Sequence, residues 1–446
     1  MKDLIQTLRN IFKIPELRSR IFYTLLLLTV YRLGTFIILP GIDSQLLQAS
    51  FSSGSTGGGL LDLFNTFLGG AFARGSILAL GIMPYISASI VVQLLAAVLP
   101  SIQKLRMEGD SGQKKMNQIT RFVTVAICLF QSYSYVYYLR GQYANALLDD
   151  GFLFTFTSIM ILTAGTMFLV WLGERITDNG IGNGSSLIIA IGIISEFPPA
   201  LINEGRSTLP MIFFIEILAL GIVTMAVVAL TQATRKIPIN YARQMAGNRL
   251  VQAGGGTGAR QYIPLKINSA GVMPIIFAQA IMFIPTTLIQ LAGAESLSGV
   301  VAAMSNVNGF WYNLIFFLMI IVFTYFYTAI AINPNEIADQ LKRNGGFIPG
   351  IKPGKKTASY IDNILSRITL PGSIFLAIVA IFPAVAGVLG TSGSFAQFFG
   401  GTTLIIMIGV VLDTLQQVES YLLMRHYDGL MRSGRIKGRQ RSGLAV

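Results

Sequence analysis

Pro210-Met-Ile-Phe-Phe-Ile-Glu-Ile-Leu-Ala-Leu-Gly-Ile-Val-Thr-Met-Ala-Val-Val-Ala-Leu-Thr-Gln-Ala-Thr234 carries one charged side chain, Glu216, before Arg235 and Lys236 end the run. It is apolar on every side, so it does not present one face to a core and another to water. A bilayer core about 30 Å thick calls for about 20 such residues in one helix. Working outward, runs of the same kind lie near 21–39, 75–99, 119–139, 152–172 and 182–202, and then near 270–292, 310–333, 368–389 and 397–422. The chain of 446 residues is 53% apolar and 12% charged, about half the charge a soluble domain carries. An all-α membrane protein of about ten spans is the expected class. The fifth run is the weakest, because Gly182, Gly184, Gly192, Pro198 and Pro199 interrupt it; glycine in a membrane helix marks close packing or a lined cavity.

Positive charge orients the spans, since cytoplasmic loops collect Lys and Arg. With alternate loops on alternate sides, 29 of the 33 Lys and Arg fall on one side, in the N-terminal stretch, 104–121, Arg175, 235–266, 342–367 and the tail from Arg425. Arg74, Arg140 and Arg206 fall on the other, and Arg32 inside the first span. Both termini are therefore expected in the cytoplasm. The basic N-terminal stretch before an apolar run has the look of a signal peptide, but Pro40-Gly-Ile-Asp43 follows with no small-residue cleavage site, so 21–39 reads as a retained span.

Chemistry is sparse. The single cysteine, Cys128, lies in an apolar run and the single histidine, His426, in the basic tail. Gly390-Thr-Ser-Gly393 matches a short serine-protease pattern, yet it falls in an external turn with His426 across the membrane. The glycine run 254–258 lacks the Lys-Ser/Thr and the preceding strand of a phosphate loop. No cofactor, metal or catalytic residue is expected. Glu196 and Glu216 lie near outer helix ends, where they can snorkel; Asp413 and Arg32 remain as intramembrane charges to be explained, for which pairing with a neighbouring helix is preferred. On the residues alone, a secondary transporter and a channel both stay open.

Two long basic cytoplasmic loops, 235–266 and 333–367, contain Ala253-Gly-Gly-Gly-Thr-Gly258, Gly345-Gly346, Pro349-Gly350 and Pro353-Gly354. Turns of this density predict ordered, hairpin-like projections, suited to anionic headgroups or to a macromolecular partner. In the first external loop, Leu60-Leu-Asp-Leu-Phe-Asn-Thr-Phe-Leu-Gly-Gly-Ala-Phe72 places Leu60, Phe64, Phe67 and Leu68 on one helical face. It is too short to span; it reads as a helix lying in the interface or as a re-entrant segment.

Three segments together carry a resemblance: Leu80-Gly-Ile-Met-Pro-Tyr-Ile-Ser-Ala-Ser-Ile-Val-Val-Gln93, Trp171-Leu-Gly-Glu-Arg-Ile-Thr-Asp-Asn-Gly-Ile-Gly-Asn-Gly184, and Asn333-Pro-Asn-Glu-Ile-Ala-Asp-Gln-Leu-Lys-Arg-Asn-Gly-Gly-Phe-Ile-Pro-Gly-Ile-Lys-Pro-Gly354. They closely resemble the SecY family, the channel subunits of bacterial protein translocases, collinearly from about residue 20 to 430. The resemblance implies two pseudo-symmetric five-helix halves around a central pore that opens sideways between the second and seventh spans. It divides the chain into a cytoplasmic segment 1–20, an N-terminal half 21–202 with a plug near 60–72, a C-terminal half 203–424 with cytoplasmic loops near 235–266 and 334–367, and a basic tail 425–446.

It further implies a non-enzymatic, multi-pass, protein-conducting channel of the bacterial plasma membrane, which passes unfolded signal-bearing chains across and releases membrane helices into the lipid. The implied pore ring is Ile82, Ile86, Ile189, Ile276 and Ile406, with Ser185 where an apolar ring residue is common. The implied plug is Leu60, Leu61, Leu63, Phe64, Phe67 and Leu68, with hinge glycines on either side, and the implied lateral-gate residues are Gln93 and Asn268. Arg243, Arg249, Lys342, Arg343 and Lys352 are the implied contacts for the ATPase SecA and for the ribosome, including its RNA. SecE and SecG are the implied companion subunits, with signal sequences, nascent chains and membrane lipids as further partners. A narrow apolar ring offers no hydrogen bonds to water or ions, and so dewets and blocks small ions while making no sequence-specific demand on a passing chain.

Overall fold

The computed structural model describes residues 14–53, 60–148, 151–241, 244–246, 249–251, 261–292, 309–388, 390–391 and 393–432. Among them, helices occupy Pro15–Gly34 (α1), Ser44–Ser53 (α2), Leu60–Phe67 (α3), Met83–Val98 (α4), Pro100–Met107 (α5), Asp110–Gln142 (α6), Phe152–Asn179 (α7), Gly184–Ser207 (α8) and Pro210–Gln232 (α9). The second half supplies Met273–Ala292 (α10), Phe310–Ala331 (α11), Pro334–Arg343 (α12), Lys355–Val388 (α13), Gly393–Ala396 (α14) and Gly401–Arg432 (α15). The expected spans correspond to α1, α4, α6, α7, α8, α9, α10, α11, α13 and α15. Large apolar side chains such as Phe22, Phe214, Met225 and Phe310 face outward, as a lipid-bathed surface requires. Threonines within the spans bond backward to their own helix, as Thr24 does to the Arg20 carbonyl and Thr324 to that of Ile320, so their hydroxyls are satisfied locally.

The second span differs from the expected 75–99. Helix begins only at Met83, and 68–82 runs as successive turns with Gly69, Gly70, Gly75 and Gly81 at positive φ. Gly81-Ile-Met-Pro84 and Gly271-Val-Met-Pro274 open α4 and α10 alike: a glycine at φ +56° or +63°, then methionine and proline in the first turn, where no amide partner is needed. The two helices thus start from the same local device, and they pack against each other.

At the other extreme, α13 starts at Lys355 rather than near 368. Its 13 residues before the expected span, 355–367, extend about 20 Å beyond it at about 1.5 Å each. There they meet strands Thr234–Tyr241 (β1), Gln261–Lys266 (β4) and Gly346–Phe347 (β5) in an antiparallel sheet of order β4-β1-β5, with Thr234 opposite Lys266 and Tyr241 opposite Gly346. Gln244–Ala246 (β2) pairs with Arg249–Val251 (β3). Alternation along β1 turns Ile237 and Ile239 inward and Lys236 and Pro238 outward. With Leu265, Leu341, Ile348, Ile361 and Leu365 they build a separate apolar core, so the two basic loops fold as one unit.

Candidate functional site

The central core joins α1, α4, α8, α10 and α15. Within it Ile189 of α8, Ile276 of α10 and Ile406 of α15 converge with Met83, Gln279 and Ala280 on Phe64 and Phe67 of α3, enclosing a space of ≈ 10 Å³. That is about the least a single water needs, and Gln279 is its one polar wall residue. Ile82 and Ile86 are buried in the same core but do not line this space; Met83 does. Ile82 belongs to the turn before α4, so the side chain that Pro84 places at the head of the helix is Met83. Ser185 donates to the Asn183 side-chain oxygen at 2.9 Å, at the start of α8 and a turn short of Ile189, and it too stays off the space.

Helix α3 seats beneath this waist. Phe67 is 2% exposed, and Phe64 and Leu68 are buried. Leu60, Leu61 and Leu63 lie on the backbone of α3, and their side chains are outside the described residues. Backbone touches backbone here: a Cβ on Gly192 of α8 would stand 2.4 Å from the Phe67 carbonyl oxygen. A Cβ on Gly184 would stand 1.9 Å from that of Gly173, closing α8 on α7. The glycines that weaken the fifth span as a sequence are therefore what lets the plug and α7 approach it.

Past Phe67 the chain turns through Gly69 and Gly70, at φ +61° and +78°. The Gly70 amide donates to the Asn65 carbonyl at 2.9 Å, closing the helix end. Arg32 donates to the Gly69 carbonyl at 2.8 Å and Arg74 to the same oxygen at 3.3 Å. Both guanidinium groups sit over the Phe36 ring, at 5.1 and 4.8 Å, and Arg74 pairs with Glu196 at 3.5 Å. Arg32 thus has its structural partner, and Glu196 is engaged rather than snorkelling. Glu216 likewise turns inward and is buried, while Asp413 is exposed on α15. From the opposite half, the Gln397 side-chain oxygen accepts from the Thr66 hydroxyl at 2.7 Å.

On α4, Gln93 donates to Ser89 one turn back at 3.1 Å. Asn268, in the turn before α10, is 6% exposed with both amide atoms buried and unpartnered. No hydrogen bond joins the two among the described residues. In the unit built on the β4-β1-β5 sheet, Lys342, Arg343 and Lys352 are exposed. Arg249 lies on β3 with its side chain outside the described residues, and Arg243 is outside them altogether.

A bundle of apolar spans around a dry constriction, stoppered by a short helix that does not cross the bilayer, is a gated membrane channel. The SecY family model matches residues 76–415. SecY translocase subunits of Streptomyces scabiei and Thermotoga maritima are 41% and 38% identical, covering 94% and 98% of this chain and 98% and 100% of theirs. A solved protein-conducting channel aligns with a TM-score of 0.61 at 18% identity over 90% of this chain and 91% of that one. Sec61 from a canine ribosome-channel complex aligns at 0.59 and 16% over the same shares. The chain belongs to the SecY family.

Proposed function

We propose that this chain is the protein-conducting channel of a bacterial secretory translocase, passing unfolded, signal-bearing polypeptides across the plasma membrane and releasing membrane helices sideways between α4 and α10. The observation that carries the reading is the waist: Ile189, Ile276, Ile406 and Met83 close on the plug's Phe64 and Phe67 around ≈ 10 Å³. Such a ring seals against ions at rest and, being apolar and featureless, yields to any extended chain once the plug leaves. Ile82 and Ile86, buried beside it, complete the lining when α4 moves. The chain works without catalysis of its own.

The halves are 21–202 and 203–424, the plug is α3 with the turn after it, and both termini are cytoplasmic, the side on which 29 of the 33 Lys and Arg fall. Gln93 and Asn268 act in the gate: a buried amide without partners makes the closed seam less favourable than apolar packing, and so eases opening by an apolar signal helix. The cytoplasmic unit bearing Lys342, Arg343 and Lys352, with Arg243 and Arg249, docks SecA during post-translational export and the ribosome, with its RNA phosphates, during insertion. SecE and SecG are the companion subunits.

The test is reconstitution with SecE and SecG in proteoliposomes, adding SecA, ATP and a signal-bearing precursor, and scoring protease protection. Protection that needs both ATP and the signal is expected. An intact, SecA-bound complex that protects nothing would refute the reading.

A further inference from the structure

The turn that ends the plug is bonded to both halves of the protein, and the two attachments differ in kind. On the first half, the Gly69 carbonyl receives two guanidinium groups, from Arg32 of α1 and Arg74, the latter paired with Glu196 of α8. On the second half, Thr66 reaches across 331 residues to Gln397 through one neutral hydrogen bond of 2.7 Å. We propose that the Thr66–Gln397 bond is the releasable tie that couples plug displacement to separation of the halves, and that the Arg32–Arg74–Gly69 clamp is the hinge about which the plug swings. This rests on the channel reading and adds to it the groups that set how readily the channel opens.

Three observations order the two attachments. Charge-assisted bonds are about twice as strong as neutral ones, so when the halves part, the neutral bond breaks first and the clamp stays with α1 and α8. The clamp also closes over bare backbone: a Cβ on Gly69 would stand 2.7 Å from Arg32 Nη1, and one on Gly70 would stand 2.6 Å from both Arg74 Nη2 and Glu196 Oε1. These are the glycines at positive φ, where rotation is least hindered.

The acceptor, finally, is fixed to the second half and provided for after release. The Thr403 hydroxyl of α15 donates to the Gln397 backbone carbonyl. Gln397 borders a cavity of ≈ 40 Å³ that Gln279 also lines, and the buried Gln279 Nε2 has no partner. That amide is a donor on the same cavity, available to the acceptor that Thr66 vacates. With Thr66 8% and Gln397 6% exposed, the tie is made out of water, where a hydrogen bond is electrostatically stronger than in water.

The experiment uses the complete complex with its companion subunits in proteoliposomes, reading resting ion conductance and transport of a precursor with a crippled signal, alongside one with an intact signal. Thr66→Val keeps the shape and removes the hydroxyl; Thr66→Ser keeps the hydroxyl; Gln397→Met removes the acceptor. Thr66→Val and Gln397→Met should each raise both readouts about five- to tenfold, the worth of one buried hydrogen bond. Thr66→Ser should stay near wild type, and the Val/Met double variant should exceed neither single variant, since both remove one bond. Thr66→Val behaving as wild type, or Thr66→Ser leaking as Val does, would overturn the tie while leaving the channel reading intact. A wild-type complex that fails to move even the intact-signal precursor would instead strike at the channel reading itself, and the tie with it.

Discussion

Replacing Gly192 by alanine adds one methyl group where α8 meets the plug backbone. The added Cβ would stand 2.4 Å from the Phe67 carbonyl oxygen and 3.3 Å from the Gly69 amide nitrogen. Carbon and carbonyl oxygen pack no closer than about 3.3 Å, so the plug must withdraw by about 1 Å or α8 must bend. Overpacking of this size costs about 1–3 kcal/mol, and nearly all of it falls on the state in which the plug is seated. Alanine also gains up to about 1 kcal/mol of helix propensity, but α8 is a helix whether the plug is in or out, so that gain cancels from the gating equilibrium. The seated plug should therefore lose about 5- to 150-fold of its population advantage. Reconstituted Gly192→Ala channels should show raised resting conductance and transport of signal-defective precursors, with thermal stability unchanged or lower. Gly221→Ala in α9, with nothing within 4 Å of its Cβ, should gain the helix propensity without the clash and leave the seal alone. A Gly192→Ala channel as tight and as signal-dependent as wild type would refute the argument that bare backbone contact holds the plug.

Serine at Ile276 or Ile406 puts a hydroxyl into a waist whose one polar wall residue is Gln279, and should wet it: single-channel recordings should show longer open dwell times, and unchanged recordings would contradict the dewetting account. Leucine at Asn268 replaces an amide whose two polar atoms are buried and unpartnered; the closed form should gain about 1–3 kcal/mol, seen as a higher melting temperature and slower transport of precursors with weak signals. Alanine at Ile361, fully buried in the separate core beneath the β4-β1-β5 sheet, should cost that unit about 2–5 kcal/mol. SecA-driven transport should fall while resting conductance stays at the wild-type level; a leak would mean that the unit and the seal are coupled.

How much of this could be read from the sequence follows from which forces are local. Hydropathy reports where lipid ends, so all the expected spans have their helices, but it is blind to where a helix ends in water. Hence α13 begins at Lys355, 13 positions before its apolar run, and α4 begins at Met83, after the glycines of 68–82 have run their turns within a stretch apolar enough to pass for helix. The turn-rich loops announced a hairpin, yet the pairing of Tyr241 with Gly346 leaves no trace in either segment alone. At the site, Phe64, Phe67, Ile189, Ile276 and Ile406 were named as site residues by the family resemblance and not by hydropathy or spacing, whereas Met83 was named by neither, since its place depends on where Pro84 starts the helix. Glu196 and Arg74 were each visible as isolated charges; only the fold brings them within 3.5 Å. Thr66 and Gln397 carried no signal beyond being polar residues in apolar surroundings.

That last pair points to a general economy in a channel of this kind. Apolar helix surfaces that separate in a bilayer exchange protein neighbours for lipid or for a passing apolar segment, at little net change, because a lipid tail is as apolar as a leucine. The large core shared by α1, α4, α8, α10 and α15 therefore gives the closed state its shape but little of its preference over an open one. A polar bond formed in the same surroundings finds no substitute among lipid tails. The bias toward closure is then concentrated in the few polar groups at the seam: the Thr66–Gln397 bond and, with opposite sign, the unpartnered Asn268. A channel that must hold against ions and still open to a single apolar signal helix needs its gating energy small and localised, and these residues place it where the plug and the two halves meet.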